Sequence, residues 1–141
     1  MSSAREHERE WPMWARRGAL IWRIAFCVLL VLVVLGSLTP STGEGGPVLP
    51  IPDWAQHAIG YGLLMAALVG SQVRPRMWLS ALALVGLGAL LELVQGWLGY
   101  RFAEVKDLLA NGVGIALVAV LAWWMLTAQV KGGFGDGSRA R

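Results

Sequence analysis

Four long apolar runs, at 19–38, 54–73, 77–98 and 105–127, alternate with short segments that are polar or rich in Gly and Pro. Each run is about 20 residues or more, and at 1.5 Å per residue an α-helix of that length crosses the ~30 Å hydrocarbon layer of a bilayer. The pattern predicts an all-α polytopic membrane protein. Its four-transmembrane-helix bundle occupies 19–127, between an N-terminal tail at 1–18 and a C-terminal tail at 128–141. The first run exceeds a usual signal-peptide core, and "GSLTPSTGEGG" after it has no clear small-x-small cleavage site, so it is expected to be retained.

The connections fit the same picture. "TPSTGEGGPVLPIPD" is broken by prolines and glycines and reads as a loop, after which Asp53 is expected to cap the second helix and complement its dipole. "SQVRPR" is short, so the second and third helices should form an antiparallel hairpin. Ala66, Gly70, Gly86, Gly88, Gly112, Gly114 and Ala116 would let helix backbones approach closely, which matters where apolar burial gives no drive. The same small-residue faces leave homo-oligomerisation open.

Composition agrees: 56% of the 141 residues are hydrophobic, 15% are charged and the mean hydropathy is +0.56, more apolar than a water-soluble core requires. Ten of the 12 Lys and Arg lie before or at the start of the first helix, between the second and third, or after the fourth; Arg101 and Lys106 are the other two. By the cation bias, both termini and the 2–3 connection are expected to be cytoplasmic, with 41–52 and 99–104 facing outward. The net charge of +3 then reflects topology and contact with anionic lipid, and nucleic-acid binding is not expected. The eight Trp residues fall near predicted helix ends, as two aromatic belts would. Cys27, the single cysteine, sits mid-helix as an apolar filler.

Against this background the polar residues stand out. Asp53, His57 and Tyr61 recur at i, i+4 and i+8, along about 12 Å of one helix face. Glu92 and Gln95 lie near the outer end of the third helix, Arg101 in the outer loop, and Asp107 and Asn111 in the first turns of the fourth. All eight are placed in one leaflet. A charge facing hydrocarbon costs about 2.5–3.5 kcal/mol or more, so these groups should turn inward and satisfy one another.

"DWAQHAIGYGLL" and "ELVQGWLGYRFAEVKDLLANGVG" also resemble the VanZ-like family of small bacterial membrane proteins. That family's pattern runs D-K-x-x-H-x-x-x-Y, then E-x-x-Q, then R-x(5)-D-x-x-x-N-x-x-G. Asp53, His57, Tyr61, Glu92, Gln95, Arg101, Asp107, Asn111 and Gly114 match it in order and spacing over about residues 50–125, leaving 1–17 and 128–141 outside. Trp54 stands where the family commonly has Lys, so the part that Lys plays there is open here. The resemblance implies a multi-pass protein of the bacterial cytoplasmic (inner) membrane and cell envelope. The family takes its name from a protein linked to teicoplanin resistance.

The residues support three functional readings. The leading one is an outward-facing polar pocket that binds an amphiphile among the membrane lipids: a lipid headgroup, an isoprenoid-linked precursor or a lipophilic glycopeptide. Arg101 is suited there to phosphate or carboxylate, and His57 to a change of charge. The second is an intramembrane hydrolase or transferase, with His57, Glu92, Arg101 and Asp107 as candidate catalytic groups. No obvious nucleophile accompanies His57. The third is a scaffold whose polar network is structural. No cofactor is expected, and in the absence of H-E-x-x-H spacing or a thiolate cluster no metal site is expected either. A proton pathway is disfavoured, because the inner halves of the second to fourth helices contain no titratable group.

Overall fold

Where the sequence has its four apolar runs, the structure, a computed structural model, has among its described residues four helices: α1 (Met13–Leu38), α2 (Asp53–Gly70), α3 (Met77–Leu98) and α4 (Val105–Gly133). The residues described are 13–39, 51–72, 76–99 and 105–133, with side chains from 18 to 128 within them. Arg101, the distal parts of both tails and most of the Pro-rich connection lie outside the described residues.

Local chemistry sets the helix ends. α2 stops three residues before the end of its apolar run, where the Ser71 N–H donates to the Ala67 carbonyl and the Ser71 hydroxyl donates to the Leu68 carbonyl at 2.7 Å. α3 ends at Gly99, whose φ of 74° is the left-handed conformation that closes a helix without a Cβ penalty. α4 runs past residue 127: the Thr127 hydroxyl folds back onto the Trp123 and Trp124 carbonyls and leaves the backbone ladder intact. The expected cap at Asp53 is displaced by one position. Pro52 occupies the N-cap and its carbonyl accepts from Ala55 and Gln56, while Asp53 is the first helical residue. Its charge still lies at the positive end of the helix dipole.

The contacts give an up–down–up–down order. Trp22 meets Gly70 and Val33 meets Gly60, so α1 and α2 are antiparallel. Gln72 donates to Ser80 at 2.9 Å, and Tyr61 lies against Gly88, so α2 and α3 form the antiparallel hairpin that their short connection implies. Ala58 and then Gly62 follow Gly114 and Val118 along α4, so α2 and α4 are parallel. The most extensive contact in the molecule is this last one, between α2 and α4. Its closeness comes from Gly114, where an added Cβ would collide with the Ala58 carbonyl. Gly86 and Gly112, also expected at helix contacts, have nothing within 4 Å of a Cβ position.

Burial is inverted relative to a water-soluble protein. Tyr61, Leu64, Met65, Leu84 and Ile115 form a small core, but Glu92, Gln95, Asp107 and Asn111 are buried with it. Large apolar side chains such as Leu32, Leu82, Leu93, Leu117 and Val120 are exposed along the outside, and Cys27 is exposed with them. A surface of this kind suits lipid, where interior packing relies on small residues and polar contacts. Among the described residues, three helical stretches, Gly18–Leu38, Met77–Leu98 and Val105–Ala128, are long and apolar enough to cross a membrane. α2, at 18 residues with Asp53, Gln56 and His57 in its first turns, is not among them; like α3, it packs on all three other helices.

Candidate functional site

The α1 C-terminus, the α2 N-terminus, the α3 C-terminus and the α4 N-terminus share one end of the bundle, and the buried polar residues gather there. From α2, the i, i+4 spacing carries Asp53 and His57 onto the face that meets α4. From α4, Asp107 and Asn111 present the matching i, i+4 pair, 3% and 1% exposed.

His57 joins the two helices. Its Nδ1 lies 3.2 Å from the Asn111 Oδ1, and its Nε2 lies 3.9 Å from the Asp107 Oδ2. The amide oxygen of Asn111 is an acceptor, so in the neutral imidazole Nδ1 carries the hydrogen and Nε2 the lone pair. The other face of the Asn111 amide, its Nδ2, is held over Gly88 of α3 beside the Tyr61 hydroxyl. A Cβ at Gly88 would sit 2.9 Å from that nitrogen. Gly88 thus makes the room that lets Asn111 reach His57.

The remaining sequence candidates separate into two groups. Glu92 of α3 is buried one turn along the helix from Gly88, where Tyr61 and Asn111 meet α3. Gln95 bonds across to α1: its Nε2 donates to the Ser37 carbonyl at 2.6 Å. That carbonyl is among the last four of α1, which have no partner within their own helix. Gln95 is therefore a clasp between α3 and α1. Arg101 lies outside the described residues.

A groove of about 320 Å³ runs between α2 and α1 and reaches the same Asp53 and His57. One wall is Leu29, Leu32, Val33, Gly36 and Ser37; the other includes Asp53, Gln56, His57 and Gly60. Both series follow i, i+3, i+4 and i+7, so the groove is two helical faces set against each other. It is apolar along Leu29, Leu32, Val33 and Ile59 and polar at the end bearing Asp53, Gln56 and His57. The sequence reading missed Gln56 and the whole α1 wall. Their signal was the small pair Gly36 and Ser37 ending an otherwise bulky stripe.

Asp53, His57 and Asp107 also converge: one ligand atom from each lies within 4.8 Å of the others. No local spacing announces this set, because Asp107 comes from another helix 50 residues beyond His57. Comparison of the chain with protein-family models, with curated proteins and with solved structures gives no match.

Proposed function

We propose that this chain is a VanZ-like protein of the bacterial cytoplasmic membrane. In this reading it crosses the bilayer four times with both termini in the cytoplasm, and it binds an amphiphile at the outward-facing end of the bundle. The observation that carries the reading is the α1–α2 groove, with hydrocarbon-lined walls and a hydrogen-bonding end at Asp53, Gln56 and His57. Such a shape matches a molecule with a polar head and an apolar tail, as in a lipid, an isoprenoid-linked precursor or a lipophilic glycopeptide. The distribution of Lys and Arg along the chain supports the orientation, and the mutual satisfaction of His57 and Asn111 supports a preorganised polar end. Arg101, in the sequence between the third and fourth helices, is the group suited to a phosphate or carboxylate on the head.

Gly60 offers a direct test, because a Cβ there makes only ordinary contact with Val33, at 3.4 Å, and a longer side chain would enter the groove. Protein purified in maltoside micelles with phosphatidylglycerol added should retain bound lipid in native mass spectrometry, and Gly60→Leu should lose it while keeping its thermal transition. Equal lipid retention by a folded Gly60→Leu variant would remove the groove as the binding site.

A further inference from the structure

We infer that Asp53, His57 and Asp107 form a binding site for one divalent first-row transition ion of the Zn²⁺ or Mn²⁺ type, at the polar end of the α1–α2 groove. Two carboxylates and one imidazole, drawn from two helices, supply the mixed O and N donors such ions prefer.

Two features point to an ion rather than to a plain ion pair. The first is the separation of His57 Nε2 from Asp107 Oδ2, 3.9 Å. This is too long for a hydrogen bond, yet it is close to the edge of about 3.4 Å between two ligands held 2.0–2.2 Å from a tetrahedral centre. The second is the orientation of His57. Asn111 takes the Nδ1 hydrogen and turns the Nε2 lone pair toward Asp107, the arrangement by which a second partner fixes a ligating imidazole.

Burial differs across the set in a useful way. Asp107 is buried and fixed on α4, His57 is 11% exposed, and Asp53 is exposed at the start of α2. Asp53 thus completes the set from its exposed side, with its ligand atom already within 4.8 Å of the other two. Three protein ligands leave at least one coordination position for water, and since Asp53 and His57 also line the groove, that position opens into it. The consequence for an anionic head, that it would meet the ion there, rests on the amphiphile reading. The ion site itself does not.

The test uses the full chain in maltoside micelles, with His7 replaced by Ala so that His57 is the only histidine. After stripping with a chelator, the protein is dialysed against Zn²⁺, Mn²⁺, Mg²⁺ or Ca²⁺ without added lipid, and bound ion is counted by elemental analysis. One Zn²⁺ or Mn²⁺ per chain is expected, with little Mg²⁺ or Ca²⁺. Asp53→Asn changes an exposed side chain and should fold normally while weakening binding at least tenfold; His57→Gln should abolish it. Co²⁺ in place of Zn²⁺ should give a visible absorption band that His57→Gln removes. Binding well below one ion per chain, or binding that a folded Asp53→Asn and His57→Gln leave unchanged, overturns the site. Loss of lipid retention in Gly60→Leu with intact Zn²⁺ binding would leave the ion site standing, and the converse would leave the groove standing.

Discussion

Gly114 of α4 and Ala58 of α2 meet backbone to backbone, so closely that a Cβ on Gly114 would strike the Ala58 carbonyl. Beside it, His57, the residue before Ala58, comes within 3.2 Å of Asn111, three residues before Gly114. The polar site therefore depends on a glycine that takes no part in it.

Gly114→Ala should push α2 from α4 and cost about 3 kcal/mol, the upper part of the range for overpacking a tight contact. Gly112→Ala, two residues away with open space at its Cβ position, should be neutral or raise stability by about 0.5–1 kcal/mol through helix propensity. Thermal unfolding in detergent compares the two directly. Equal effects would mean that α2 and α4 are not in the contact described.

Gln95→Leu should leave Asn111 and His57 in place but release the Ser37 carbonyl, loosening the C-terminal end of α1 from α3. Hydrogen bonds between membrane helices are worth about 0.6 kcal/mol on average and up to about 1.7, and the 2.6 Å length here places this one at the stronger end. Amide exchange near residue 37 should quicken in the variant while exchange in the middle of α4 stays the same.

Val120 and Leu82 are exposed apolar residues, and their exposure has opposite consequences in water and in lipid. Val120→Lys should be nearly silent if the surface meets water. Facing hydrocarbon, it should cost about 2.5–3.5 kcal/mol and reduce membrane insertion. Insertion assayed by carbonate extraction distinguishes the two, and the account predicts reduced insertion.

Single cysteines at Ser3 and Ser138, in a Cys27→Ser background, should react with an impermeant maleimide only after the cytoplasmic side is opened, and one at Ser41 should react in intact cells. Labelling of the tails from outside would reverse the proposed orientation.

Much of this arrangement can be read along the chain, and the parts that cannot share a cause. The apolar runs locate the helices, and for α3 they coincide with its bounds, because "VRPR" before it and Gly99 after it are strong local breaks. The steps of four from Asp53 to His57 and from Asp107 to Asn111 predict two polar faces, and the helices bring those faces together. Gln95 has no local feature that distinguishes a bond to α1 from a place beside His57, since either satisfies a buried amide. The convergence of Asp53 with Asp107 and the α1 wall of the groove arise from how helices cross. Crossing is decided by sites such as Gly114, and the sequence offers several glycines of equal appearance.

The central claim is that the α1–α2 groove holds the tail of an amphiphile, with its head at His57. Its most direct test is photo-cross-linking of the wild-type chain in nanodiscs with a phosphatidylglycerol that carries a diazirine in one acyl chain, with the labelled residues mapped by mass spectrometry. The account predicts labelling concentrated on Leu29, Leu32, Val33 and Ile59, and its loss in Gly60→Leu. Labelling spread evenly over the outer faces at Leu82, Leu117 and Val120, with no excess in the groove, would contradict it.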